Sequence, residues 1–290
     1  MTNARVFVER KNELGEGALW HHARNSFFHF AITENLLFEH NTQGALLNEW
    51  KFGFNVSAAG IISDKELLIA GETSLFVLDL SDGRQRHICD LEADNPVTRS
   101  NDGRADRQGG FWIGTMGKQA ESGAGAIYRY YRGELRVLVP AVTIPNSICF
   151  SPDGLLAYWT DTDVNRIMQV PLDAEGWPAG TPSVFADHSD DDFGCDGSIV
   201  DADGHLWNAR WGVGQIVRYT ASGAVERVVT ISAPNCTCPA LGGATGTTLF
   251  VTSAYQGIVD KKRRDDSVSG CTFAVETDVR GLHEAAVHID

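Results

Sequence analysis

Four short stretches of this 290-residue chain place a carboxylate or carboxamide just ahead of a strand-like run. They are Glu16 in LGEGALW, Asn101 in RSNDGR, Asn146 in IPNS and Asp196 in CDGS. Two carboxylates and two amide oxygens, with no His or Cys among them, form a hard, oxygen-only donor set. Such a set suits Ca²⁺, Mg²⁺, Mn²⁺ or Zn²⁺ with water completing the coordination. Taken singly, each residue has a plainer reading as a turn former, because Asn and Asp side chains readily bond to nearby backbone. Asn146 fits that reading least well, since it follows Pro145 and precedes the apolar SICF rather than a glycine. Other catalytic signatures are missing: there is no G-x-S-x-G, no G-x-x-x-x-G-K-[ST] and no H-E-x-x-H. His21 and His22 are adjacent and so point to opposite faces of a strand, and GVGQ (212–215) lacks the helix a dinucleotide site needs. Asp161 and Asp163 in TDTDVNR read as a loop pair.

The elements that must position these groups are short. FFHFAIT, LLIAGE, LFVLDL, GFWIGTM, LAYWTDT and LWNARW have strand length and aromatic or β-branched content. Turn signals such as Asp82-Gly83, Asp153-Gly154, Asp203-Gly204 and Ser222-Gly223 separate them. The chain reads as all-β. A repeat runs through it, clearest from Asp106, Ser151 and Asp201 and weaker near 24, 63 and 245. Successive starts are 39 to 50 residues apart, room for four short antiparallel strands, and six such units make a six-bladed β-propeller. The four polar residues stand at matching places ahead of their repeats, 8 residues for Glu16 and 5 for Asn101, Asn146 and Asp196. Strand-like ARVFVER (4–10) and CTFAVETD (271–278) are expected to share and close one blade. Nothing resembling a linker divides the chain, so residues 1–290 are expected to form a single domain, with KKRRDD (261–266) a solvated loop.

Composition narrows the classes of partner. The net charge of −14 opposes a phosphate-binding surface, so nucleic acid is not expected. No apolar run approaches the roughly 18 residues of a membrane span, and no signal sequence is visible. Six scattered cysteines without a C-x-x-C pair read as free thiols, and a cytoplasmic location is expected.

LGEGALW, RSNDGR, FWIGTMG, IPNSICFSPDG and CDGSIVDADGHLWNARWG, in this order, resemble the SMP-30/gluconolactonase family, which includes regucalcin and bacterial sugar lactonases. The resemblance implies a six-bladed propeller with one divalent metal, carried here by Glu16, Asn146 and Asp196. It assigns substrate contacts to Arg99 and Asn101, with Glu121 in a region where relatives touch ligand. The implied reaction is metal-dependent opening of an aldono- or aldarolactone to the sugar acid, with Asp196 as general base. The ion could be Ca²⁺, Zn²⁺, Mn²⁺, Mg²⁺ or Fe²⁺. A small sugar lactone is the expected partner, with no obligate protein partner. A calcium-dependent propeller esterase or phosphotriesterase, and a non-enzymatic calcium-binding propeller, are the alternatives. Two departures stand out: Ala18 where relatives have proline, and Phe28-His29-Phe30-Ala31-Ile32 where they carry a polar residue.

Overall fold

The structure, a computed structural model, describes residues 4–258 and 267–289; KKRRDD lies outside the described residues. Among the described residues twenty-four strands form six four-stranded antiparallel sheets, and the fold is a six-bladed β-propeller. In five blades the strands follow one another in chain order. Their first strands are Gly15–His21, Val56–Ile61, Thr98–Ala105, Pro145–Phe150 and Gly194–Val200. The sixth blade combines Cys236–Gly242, Thr248–Ser253 and Thr272–Glu276 with the N-terminal strand Arg5–Val8, which pairs with Thr272–Glu276. The terminal strands therefore close one blade, as the sequence implies. The repeat starts at 24, 63, 106, 151, 201 and 245 fall in the turn after each first strand, so every blade begins one strand earlier than its most conspicuous motif.

The chain divides into two compact units. One holds the first, fifth and sixth blades within 1–52 and 190–283; the other holds the second, third and fourth within 53–189, with 284–290. Within each, burial falls from the first strand to the fourth. Val56–Ile61 (VSAAGI) is buried throughout, whereas Leu46–Lys51 and Gln85–Asp90 are largely exposed and carry charge. Charged outer strands leave their open edge unattractive for pairing with another chain.

Two blades contain the same buried ion pair. In the third, Asp106 and Arg129 are both fully buried with Nε 2.6 Å from Oδ2. The same oxygen accepts from Trp112 Nε1, and Oδ1 accepts from the amides of Gln108 and Gly110. In the fifth, Asp201 takes the amides of Asp203 and His205, Trp207 Nε1 and Arg218 Nε. A buried pair offsets its desolvation only when the remaining lone pairs are satisfied, and here four donors do so. The carboxylate thereby fastens the turn to the middle strands of its blade.

In the first blade His29 and His40 meet Nε2 to Nε2 at 3.2 Å, between the rings of Phe27 and Phe38. One must donate and the other accept, so the accepting ring must be neutral and the two rings cannot both be protonated. Burial holds His29 well below the usual imidazole range and lowers His40 as well, and for His29 the neighbouring His40 adds to it. As pH falls below about 6.5 the unfolded chain takes up protons that the folded pair refuses, at about 1.4 kcal/mol per proton per pH unit. Stability is thus full above that pH and declines as the medium acidifies toward the folded values. His29→Gln keeps a hydrogen-bonding group but cannot titrate. Urea midpoints at pH 7.5 and 5.5 are expected to differ less in this variant than in the native chain, and an equal difference contradicts the assignment.

Candidate functional site

Each first strand breaks register with its neighbour by one residue. The breaks fall between Glu16 and Leu19, Val56 and Ala58, Ser100 and Gly103, Asn146 and Cys149, Cys195 and Ser198, and Cys236 and Pro239. A β-bulge of this kind bends the strand and re-aims a side chain that regular pleating would send elsewhere. All four polar residues stand at or inside a bulge. Gly17 and Ser147 take left-handed backbone there, φ 57° and 59°. For Ser147, fully buried, that conformation is strained and persists because its surroundings hold it.

In the unit of the second to fourth blades, Arg99, Asn101 and Asn146 form one buried chain of hydrogen bonds. Arg99 Nη1 donates to Asn101 Oδ1 at 2.9 Å and to the Ser100 carbonyl. Asn101 Nδ2 donates to Asn146 Oδ1 and to the Pro145 carbonyl, both at 3.0 Å. Asn146 Nδ2 in turn donates to Thr162 Oγ1 at 2.9 Å. The amide of Asn146 is thereby fixed by its nitrogen, and its oxygen has a second lone pair to offer. Asp102, beside Asn101, accepts the Ile148 amide at 2.8 Å and so bridges the bulges of two blades. Burial pushes its carboxyl up to about 6, against the pull of the Ile148 amide and Arg104. Asp161, the last residue of the strand Leu156–Asp161, holds the approach to Pro145 by accepting the amides of Thr143 and Ile144.

In the other unit Glu16 and Asp196 are 8% and 5% exposed, unusually low for carboxylates. Glycines let their strands approach the sixth blade. A Cβ on Gly15 would stand 2.6 Å from the Ser253 carbonyl, and one on Gly197 2.8 Å from the Thr237 carbonyl. Thr237 Oγ1 donates to the Gly15 carbonyl, and Asn208 Nδ2 to the Asp196 carbonyl. Glu16 Oε2 accepts the Gly17 amide. Ala18 is buried among Phe27 and Phe250, so packing holds this turn without proline. Phe30, fully buried, stands opposite Glu16 in register.

Glu121 lies in an exposed loop above Gly117, its carboxylate accepting the Gln119 amide. The Gly117 strand position pairs with Thr98, so the loop stands at the Arg99 end of the third blade. Sequence reasoning missed Asp102, Thr162 and Glu92. Glu92 accepts the hydroxyls of Thr98, Thr115 and Tyr128 just below Arg99. None has a local signal, because each acts on a residue far along the chain.

Oxygen donors that are buried, held by bulges and supported by neighbouring amides fit a divalent cation. A cluster of Asp201, Asp203 and His205 also brings ligand-type atoms within 4.8 Å. Its central carboxylate is already committed to Arg218 and Trp207, so it reads as the structural ion pair described above.

The family model described as SMP-30/gluconolactonase/LRE-like region matches residues 14–255. The chain belongs to this family. The solved structure of a calcium-binding protein, regucalcin from Agrobacterium tumefaciens, is 40% identical with a TM-score of 0.96, covering 99% of this chain and 98% of its own. An L-arabinolactonase from Azospirillum brasilense is 34% identical over 97% of this chain and 94% of its own. A 6-deoxy-6-sulfogluconolactonase from Pseudomonas putida is 25% identical over 96% of each.

Within this family member, Asp102→Ala leaves the buried Ile148 amide without its acceptor and is expected to cost about 1–3 kcal/mol. Asp102→Asn keeps an acceptor oxygen. Denaturant midpoints should therefore fall clearly for the alanine variant and little for asparagine; equal losses would show that the hydrogen bond is not what matters.

Proposed function

We propose that this protein hydrolyses a sugar lactone, an aldono- or aldarolactone, to the open sugar acid with the help of one divalent cation. The observation that carries the reading is the buried Arg99–Asn101–Asn146 chain, which presents a cationic group and an oriented amide oxygen side by side. Family membership and the lactonase names of the relatives support it. Glu16, Asn146 and Asp196 would hold the cation. When bound, it supplies charge that polarises the lactone carbonyl and acidifies water.

The residues of this chain do the rest. Arg99 and Asn101 orient the sugar hydroxyls and offer donors to the oxygen on which negative charge develops. Asp196 accepts a proton from water as the water oxygen bonds to the carbonyl carbon. The ring C–O bond then breaks, and the proton returns to the departing ring oxygen. Because a lactone is an activated ester, no covalent nucleophile is required. A purely structural cation site gains nothing from an arginine beside its ligand amide, so the enzyme reading is favoured over a binding propeller. The burial of five of the six free cysteines agrees with a reducing compartment, and we place the enzyme in the cytoplasm as one propeller domain needing no protein partner.

Asp196→Ala is expected to lower lactone opening by at least 100-fold while the fold remains, as followed by acid release in weak buffer with a paired aryl ester assay. Full lactonase activity in the variant would remove Asp196 from the mechanism. Faster turnover of the aryl ester than of any lactone by the native enzyme would favour the propeller esterase instead.

A further inference from the structure

In five blades the turn between the first two strands is built alike. The fourth turn residue donates its amide to the carbonyl of the first: Asn25 to His22, Gly109 to Asp106, Gly154 to Ser151, Gly204 to Asp201 and Gly246 to Gly243. That fourth residue is left-handed each time, with φ between 51° and 91°. The side chain at the first position is what differs. Asp106 and Asp201 each accept the amides two and four residues on and pair with an arginine. Ser151 and Asp153 share the same task in the fourth blade. Gly243 has no side chain to offer. Among the described residues no side chain accepts from the amides of Thr245 or Thr247, the counterparts of the two that Asp201 holds. Nor can the chain supply the missing carboxylate, because Gly243 has φ 80° and a Cβ there would meet Thr248 Oγ1 at 2.6 Å.

A cavity of about 260 Å³ opens at this turn, lined by Thr245, Trp20, His22, His283 and Arg280. It borders the two turns, His22–Asn25 and Gly243–Gly246, that lack an acidic or hydroxyl residue at the first position. The His22 and His283 rings stack at 4.2 Å and 7°. Arg280 forms no ion pair among the described residues, in a chain with net charge −14 where arginines such as Arg129 and Arg218 find carboxylates. His22 follows the strand that begins at Gly15, so six residues separate it from Glu16 and it lies at the opposite end of that strand, at most about 20 Å away.

We infer that this cavity is a second binding site, for the carboxylate of a small hydroxy acid. The ligand's carboxylate sits in the cavity beside the Gly243–Gly246 turn, one oxygen toward the Thr245 amide and the other toward Arg280. Trp20 walls the cavity, while Thr245 and the two imidazoles offer partners for hydroxyls. The volume lies just under the usual range for drug-sized ligands and suits a molecule the size of a sugar acid. The site rests on the turn, the cavity and Arg280, and only the choice of a sugar acid rests on the lactone reading; the Arg280 and Asp196 variants separate the two.

Calorimetric titration of the full chain with D-gluconate tests it, with neutral D-glucitol and inorganic phosphate as comparison arms. Gluconate is expected to bind the native chain, Asp196→Ala, and Arg227→Ala (an ion-paired arginine outside the cavity) alike. Its affinity should fall about tenfold or more in Arg280→Ala, the loss of a charged hydrogen-bond partner. Glucitol should give no heat. Absence of gluconate binding, equal affinity in Arg280→Ala, loss confined to Asp196→Ala, or tighter binding of phosphate than of gluconate would each overturn the assignment.

Discussion

A strand that inserts one extra residue against its partner must point some side chain out of the regular alternation. In this protein that constraint falls on the first strand of all six blades, and the polar residues gather where it falls. Placing Glu16, Asn101, Asn146 and Asp196 in a nearly dry interior is costly unless each is held and matched. The bulges re-aim these side chains. Asn101 and Thr162 then fix the Asn146 amide, and Asp102 satisfies a backbone amide that the bulge at Ser147 would otherwise leave without an acceptor. Remove the bulges and the same residues would be ordinary strand positions.

The rest of each blade serves to make such a strand tolerable. Second and third strands bury their apolar side chains, and the Asp106–Arg129 and Asp201–Arg218 pairs fasten two of the turns beyond the bulges. Outer strands carry the charge that keeps the edges apart from other chains. The sixth blade departs from this scheme, because Gly243 stands where the third, fourth and fifth blades place a side-chain acceptor.

Much of the fold was legible in the sequence because turn dipeptides and aromatic strands repeat at short range. Six units, four strands each and the shared terminal blade follow from that spacing alone. The phase of the repeat was not legible, since the Asp-Gly turn is a stronger signal than the small, mixed residues of a fully buried strand such as VSAAGI. Asn101, Asn146 and Asp196 could be found by their matching offsets, and Glu16 by its place ahead of the first repeat. Asp102 was hidden because an Asn-Asp-Gly run reads as a turn, whereas its carboxylate bridges to a strand 46 residues away. Thr162 was hidden for the same reason, and the bulges themselves depend on inter-strand register that no single strand records. The ion pairs of Asp106 and Asp201 look in sequence like turn residues, and they are that as well.

The central claim is that the bulge-held oxygens serve one divalent cation on which lactone opening depends. Chelated protein, verified free of metal, can be titrated with Mn²⁺ while the hydrolysis of an arabinono- or gluconolactone is followed. The account predicts negligible enzymatic turnover at the start, a linear rise and a plateau at one equivalent per chain. Full turnover in the metal-free protein would contradict it.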